Sequence, residues 1–299
     1  MRPEVWSLVE IRGPDAIDFL QGQVTNDVGA LEPGQGCYAL VLNPKGRILG
    51  DMRVLVRSAE EVWLDGEAME TVVTNLTPYK IGRRVEIVPA AQVDRDLISI
   101  LGPKARGAIG IDLPRQEHAF VDIDLGGAKA VAVAADQGLD LIFDTRDRTW
   151  IEEFIDQAVD PITADVAEIV RIEGGRPRIG LDMTHENLPG ELGLEERAIS
   201  FTKGCYVGQE PVARMHHRGH PNKHLRGLRL TGPAQRGETV TRQDEESGGT
   251  EVGRIASATV SPAFGPIALA VIRREVEPGA QVLVGNASAK VVALPFSGD

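Results

Sequence analysis

The window Phe201-Thr202-Lys203-Gly204-Cys205-Tyr206-Val207-Gly208-Gln209-Glu210 sets one of the chain's two cysteines two residues after a lysine and between two glycines. A neighbouring cation favours thiolate over thiol, and glycines let the backbone close around a ligand or enter a tight turn. Cys205 and Lys203 are therefore candidates for nucleophilic or redox chemistry, although a buried, inert cysteine in a Gly-rich turn explains the same residues equally well. Downstream the charge inverts. From Lys203 to Arg229 six basic residues (Lys203, Arg214, Arg218, Lys223, Arg226, Arg229) stand against one acid, Glu210, and four of the six histidines (His216, His217, His220, His224) lie here too. Guanidinium groups match carboxylates and phosphates bidentately, so the stretch suits a polyanionic small molecule or, with no ligand, a solvated loop between domains. One thiolate beside scattered histidines matches no closed metal site, and two cysteines fall short of an iron–sulfur cluster's usual four, so no metal is expected on these side chains.

Two acids stand out. Asp51, in Leu49-Gly50-Asp51-Met52-Arg53, lies inside an apolar strand pattern, where it either pairs with Arg47 or Arg53 or faces a ligand. Glu173, in Arg171-Ile172-Glu173-Gly174-Gly175, falls where a helix ends in glycine. The negative end of the helix dipole disfavours an acid there, so Glu173 calls for a compensating partner or a ligand donor. No Gly-x-Ser-x-Gly and no phosphate loop ending in Gly-Lys-Ser/Thr occurs.

The elements that must carry these residues follow from patterning. The first element is expected to be a short helix with Pro14 near its start, Asp15 in its first turn, and Ile17, Phe19 and Leu20 on its apolar side. A hairpin runs from Cys37 to Leu42, turns at Asn43-Pro44-Lys45-Gly46 and leaves through Arg47 to Val56. Strand-like runs then cover residues 62–64, 85–88, 97–100, 130–133 and 139–143, with helices at 68–76 and 104–109, which suits a ferredoxin-like α+β layer. Helical spacing returns at Trp150-Ile151-Phe154-Ile155 and Val166-Ile169-Val170-Ile172. After Pro221, short strands between Gly, Pro and Asn predict a small β-barrel, with residues 243–249 as an exposed hairpin tip.

Composition bounds the rest. The 299 residues are 42% hydrophobic and 25% charged, which describes a globular chain of about two domains. No apolar run is long enough to span a membrane, Met1 to Trp6 has no signal-peptide character, and two cysteines suit a reducing cytoplasm. A net charge of −12 disfavours wrapping nucleic acid or anionic lipid.

Lys203 to Glu210 resembles the signature of the YgfZ-type tetrahydrofolate-binding family, relatives of the glycine cleavage T-protein (aminomethyltransferase) that assist iron–sulfur cluster assembly or repair. Phe19-Leu20-Gln21-Gly22-Gln23-Val24-Thr25-Asn26-Asp27-Val28, Leu42 to Ile48, Arg171 to Glu173 with Gly180-Leu181-Asp182, and Leu188-Pro189-Gly190-Glu191 are similar to further family segments. The resemblance implies an α+β fold of three parts in a ring around a central folate cavity. Residues 1–50 with 160–220 would form the folate-binding domain, 51–159 an inserted ferredoxin-like domain, and 221–299 the C-terminal barrel. It implies Glu173 as acceptor for the pterin's N–C–N donor array, Arg214 or Arg218 for the glutamate tail, and Tyr206 and Glu191 as further cofactor-binding residues. Cys205, Lys203 and Asp51 would carry the chemistry. The T-protein has an Asp-Asp pair where this chain reads Gly50-Asp51, and the cysteine signature is not expected in that enzyme. The leading expectation is thus a cytoplasmic, monomeric folate-binding accessory protein that meets iron–sulfur client or assembly proteins and binds neither nucleic acid nor membrane. A folate-dependent aminomethyltransferase using Asp51 and a non-catalytic interaction module are the alternatives.

Overall fold

The computed structural model describes residues 6–243 and 249–298. The proposed hairpin tip at 243–249 therefore falls mostly outside the described residues. Contacts divide the chain into two compact units, Met1–Ala164 with Glu196–Gln209, and Asp165–Glu195 with Glu210–Asp299.

The first unit opens with strand β1 (Ser7–Arg12), not with a helix. Its buried run of Leu8, Val9, Glu10 and Ile11 hides the two-residue period because both faces are covered, Val9 and Ile11 in one core and Leu8 in the other, with Glu10 paired to Arg12. Helix α1 (Ala16–Gln21) follows, with Phe19 and Leu20 buried as expected, and Pro14 lies ahead of the Asp15 cap. Asp15 does not cap with its side chain; it accepts from the Arg84 backbone at 2.8 Å and pairs with the Arg84 guanidinium. Strands β2 (Gly36–Leu42) and β3 (Ile48–Ser58) form the expected hairpin. The Asn43 carboxamide closes its turn by accepting from Lys45 N and Arg47 N at 2.9 and 3.1 Å. Strand β4 (Glu61–Gly66), helix α2 (Met69–Leu76) and strand β5 (Glu86–Val88) complete an antiparallel sheet of order β2-β3-β4-β1-β5.

The α+β layer expected next takes the form of strands β6 (Arg95–Leu101), β7 (Phe120–Leu125), β8 (Ala128–Ala135) and β9 (Gly138–Asp144), with helix α3 (Ala105–Ala108) after β6 and helix α4 (Arg148–Asp156) after β9. The strand order is β6-β9-β8-β7. Alternation explains the layering. In β8, Ala130, Ala132 and Ala134 face a core shared with Ile151 and Ile155 of α4, whereas Val131 and Val133 face Leu8, Leu55 and Trp63 of the first sheet. The two sheets thus pack face to face, and α1 and α2 cover the outer face of the first with Phe19, Leu20, Met69, Val72 and Leu76. Between the sheets Arg53 is held by Asp65 at 2.9 and 2.5 Å and by Asp140 at 2.6 Å.

The second unit takes nearly all of helix α5 (Ala164–Glu173) and of helix α7 (Gln209–Arg218), whereas helix α6 (Glu195–Ala198) falls almost wholly in the first. Strands β10 (Lys223–Leu230), β11 (Thr239–Arg242), β12 (Thr250–Ser261), β13 (Gly265–Arg273), β14 (Gln281–Val284) and β15 (Ala287–Val292) close into a barrel of order β10-β13-β12-β11-β14-β15. Inward positions such as Leu228, Val240, Ile272, Val284 and Val291 fill it, as alternation in a small barrel requires.

Candidate functional site

Cys205 is an exposed free thiol on a loop that its neighbours fix. Lys203 is 8% exposed and its ammonium donates to the carbonyl oxygens of Gln21, Val24 and Asn26 at 2.7, 2.7 and 2.8 Å. The expectation that Lys203 favours the Cys205 thiolate is corrected here. All three ammonium donors are committed to the end of α1 and the loop after it, and the titratable groups that act on it are Asp27 and Cys37. Burial draws the Lys203 ammonium down to about 8, against the pull of those two groups. Tyr206 is buried with its ring 5.2 Å from the Lys203 ammonium, and burial raises its phenol to about 12. Its hydroxyl has no hydrogen-bond partner among the described residues. Gly208 has φ +82°, and a Cβ there would stand 2.5 Å from the Asn43 carbonyl oxygen, so only glycine seats this loop on the β2–β3 turn. Further stitches run from Thr25 Oγ1 to the Ala198 carbonyl at 2.6 Å and from Ser200 N to the Thr25 carbonyl at 3.0 Å. The Gln21 to Asn26 segment is thereby the seat of the cysteine loop.

Asp51 does not take Arg53 as its partner, since that guanidinium is held by Asp65 and Asp140. Instead Asp51 Oδ2 accepts from the Tyr38 hydroxyl at 2.8 Å, while Oδ1 is buried without a partner among the described residues. Burial pushes the Asp51 carboxyl up to about 6; Tyr38 opposes this and the nearby Glu67 charge adds to it. A carboxyl so poised exchanges protons near neutral pH. Tyr38 in turn carries the Arg197 guanidinium over its ring at 4.9 Å, and Arg197 pairs with Glu117. Tyr38 was not singled out from the sequence, yet the hairpin register pairs it with Arg53 and Leu40 with Asp51, so alternation sets Tyr38 and Asp51 on one face. His118 was also missed. It is buried with φ +67°, and burial together with Arg53 and Arg197 holds its imidazole neutral, down to about 3. With Cys37, Tyr38, Glu117, Glu196 and Arg197 it lines a cleft of about 370 Å³. Cys37 is a free thiol that burial pushes up to about 12.

In the second unit Glu173 is the last residue of α5. The helix closes with Arg176 N donating to the Arg171 carbonyl and Gly175 N to the Ile172 carbonyl, at 3.1 and 2.9 Å, with Gly175 at φ +64°. The partner that Glu173 requires is Ser261, whose hydroxyl donates to Oε1 at 2.5 Å. Ser261 Oγ itself accepts from Ala263 N and Phe264 N, both at 3.0 Å. Arg171 steadies the same helix end through Glu168 at 2.8 and 2.6 Å, Asp182 at 2.6 Å and Ser257 at 2.8 Å. This gives a physical reason for the Arg171 and Asp182 positions that the sequence reading grouped together.

The basic stretch is divided between the two units. Lys203 belongs to the first unit and the cations from Arg214 onward to the second. Arg214 is exposed and pairs with Glu210 one turn away at 2.5 Å. Arg229 donates to the Ser297 carbonyl and stacks on Phe264 at 5.2 Å. Glu191 caps its own turn, accepting from Leu188 N at 3.1 Å and Asn187 Nδ2 at 3.3 Å, so its carboxylate is engaged locally. Among the described residues no three His, Cys, Asp or Glu side chains group as metal ligands, and no helix is long and apolar enough to cross a membrane.

Residues 5–135 match the model of the GCVT N-terminal domain, and residues 223–297 that of the glycine cleavage T-protein C-terminal barrel domain. The tRNA-modifying protein YgfZ of Yersinia enterocolitica is 28% identical over 240 residues, which cover 79% of this chain and 71% of that protein. YgfZ of Yersinia pseudotuberculosis is 29% identical over 219 residues, covering 72% of this chain and 66% of that one. The crystal structure of glycine cleavage system aminomethyltransferase T from Bartonella henselae matches with a TM-score of 0.83, over 98% of this chain and 84% of that one at 19% identity, a likeness of fold. The chain thus carries both domain types of the glycine cleavage T-protein, in order, and is similar to the YgfZ proteins.

Proposed function

We propose that this chain is a folate-binding accessory protein of iron–sulfur cluster assembly or repair, with Cys205 as its reactive thiol. The observation that carries the reading is the exposure of Cys205 on a loop held by buried Lys203, buried Tyr206 and the Gly208 turn. Reactive cysteines are accessible to solvent, whereas buried structural ones are inert. The name of the Yersinia relatives, tRNA-modifying protein, fits a client enzyme that acts on tRNA. The single carboxylate of Gly50-Asp51 speaks against ordinary aminomethyl transfer.

The donors and acceptors present suit a reduced folate. Asp51 Oδ1 and the Tyr206 hydroxyl are buried and lack partners among the described residues, as atoms awaiting a ligand do. Bound folate supplies a carrier for a one-carbon unit. Glu173, oriented by Ser261, accepts pterin N–H donors. Arg214 offers its guanidinium to a tail carboxylate, since an exposed pair such as Arg214–Glu210 is easily exchanged. Asp51 holds or releases a proton near neutral pH.

Titration calorimetry with 5-formyltetrahydrofolate tests the folate reading. Binding that Glu173→Gln weakens about tenfold or more supports it, as loss of a charged hydrogen-bond acceptor should, and absence of binding overturns it. Replacement of the gene by the Cys205→Ser form tests the thiol. Cluster-enzyme activities should fall although folate binding persists, and unchanged activities would leave an interaction module as the better account.

A second reading, aminomethyl transfer, draws on the raised Asp51 carboxyl. It requires folate-dependent ammonia release from an aminomethyl-lipoyl carrier, lost in Asp51→Asn; no release with the native chain eliminates it.

A further inference from the structure

We infer that residues 77–84, with the β2–β3 turn beside them, form a docking surface for a protein partner that presents an apolar side chain ringed by carboxylates, and that docking brings this partner to Cys205. The last step rests on the proposed reading of Cys205; the docking itself does not.

Every residue from 77 to 84 is exposed. The run Thr77-Pro78-Tyr79-Lys80-Ile81-Gly82-Arg83-Arg84 contains Tyr79 at 47% and Ile81 at 88% exposure, two large apolar side chains within three positions. Single exposed apolar residues are ordinary, whereas a pair next to an apolar cleft is a recognition feature. Tyr79 lines a cleft of about 100 Å³ that is apolar for the larger part, with Leu42, Pro44, Leu49, Leu76 and Val207, and that also takes in Gln23, Asn43 and Asn75. The segment is presented on fixed supports. Leu76 is buried at one end, and at the other Arg84 N donates to Asp15 Oδ2 at 2.8 Å while its guanidinium pairs with Oδ1 at 3.0 Å.

Charge selects the occupant. Lys45, Arg47, Lys80 and Arg83 are all exposed, and neither residues 41–50 nor residues 77–85 contain an acid, in a chain of net charge −12. Lys45 and Lys80 have no carboxylate at ion-pair distance among the described residues. An acidic rim around an apolar anchor complements this surface. RNA would be drawn by the same cations but gains little from an exposed isoleucine two residues from a tyrosine that lines a cleft, so the apolar area favours protein. The thiol is close along the chain: Val207 enters the cleft, Cys205 lies two residues upstream, and Gly208 is packed on Asn43.

The test uses the full-length chain and a fluorescein-labelled peptide, Asp-Glu-Leu-Phe-Glu-Asp, against its Lys-for-acid counterpart. Anisotropy should show salt-sensitive binding of the acidic peptide, weakened about tenfold or more by Ile81→Asp and by Lys80→Glu with Arg83→Glu, as loss of an interface anchor or its complementary charge predicts. These are surface changes, and unaltered thermal melting verifies the fold. No binding, or binding indifferent to these substitutions, overturns docking; displacement of the peptide by unmodified tRNA at lower concentration than by free acidic peptide assigns the surface to RNA and overturns the protein reading. A second form of each peptide carries a terminal cysteine as the mixed disulfide with 5-thio-2-nitrobenzoate. The Cys205 thiolate attacks the peptide sulfur, the old S–S bond breaks, a peptide–Cys205 disulfide forms and the coloured nitrothiobenzoate leaves. The acidic peptide should react about tenfold faster than the basic one, as docking raises the effective concentration, with no exchange in Cys205→Ser. Equal rates despite acidic-peptide binding overturn delivery to Cys205 alone. The folate titration is independent of all these outcomes, so failure of one reading is distinguishable from failure of the other.

Discussion

The Tyr38 hydroxyl donates to Asp51 Oδ2 at 2.8 Å, while Asp51 Oδ1 is buried with no hydrogen-bond partner among the described residues. The balance of burial against that bond leaves the carboxyl at about 6, above its ordinary value of 3.8. An acid raised on folding favours the folded state only while protonated. Its penalty is absent below the unfolded value, grows as pH rises between the two values and is complete above the folded one. Asp51→Asn removes the charge, so it should stabilise the protein by about 2–3 kcal/mol near pH 8 and by almost nothing near pH 4. Urea denaturation of both forms across this range checks the sign, and a constant difference would refute the assignment.

Lys203 is the fastening of the cysteine loop. Lys203→Met deprives the carbonyls of Gln21, Val24 and Asn26 of their donor, and should cost about 3–5 kcal/mol. Chemical denaturation gives the magnitude. Modification of Cys205 by a small disulfide reports the loop independently, and should lose its single rate if the loop detaches.

Gly208 and Gly204 make a matched pair of tests on the same loop. Gly208→Ala meets the Asn43 carbonyl at 2.5 Å in a left-handed conformation and should cost about 1–3 kcal/mol. Nothing lies within 4 Å of a Cβ added at Gly204, so Gly204→Ala should change stability by less than about 0.5 kcal/mol. Melting temperatures of the two variants decide, and equal effects would count against the loop geometry.

Between the sheets, Arg53→Met strands the carboxylates of Asp65 and Asp140 and should cost about 3–5 kcal/mol. Neutralising them as well, with Asp65→Asn and Asp140→Asn, should recover about half of that loss, because the penalty comes from unpaired buried charge. A triple variant less stable than the single one would contradict this.

Local chemistry was legible in the sequence where its causes are local. The Asn43-Pro44-Lys45-Gly46 turn, the helix ending at Gly174-Gly175 and the barrel's alternating strands all follow from neighbouring residues. What escaped depends on distant ones. Nothing beside Lys203 announces that its acceptors lie about 180 positions earlier, and sequence proximity to Cys205 suggested the wrong target. Ser261 completes Glu173 from 88 residues away. Strand β1 was obscured because both of its faces are buried, Val9 and Ile11 in one core and Leu8 in the other. The mixed polar lining around His118 emerges only once β2, the Glu117 turn and the Arg197 segment meet.

The assignment of Glu196–Gln209 to the first unit and of Asp165–Glu195 to the second means that neither body is built from one uninterrupted stretch. During synthesis, the early strands must wait for a piece made after part of the other body has already emerged. The barrel waits longer still, because β15 seals it against β10. Nascent chains of this protein should therefore finish folding late, and a ribosome stalled before the cysteine loop would hold sheets whose fastening lysine does not yet exist.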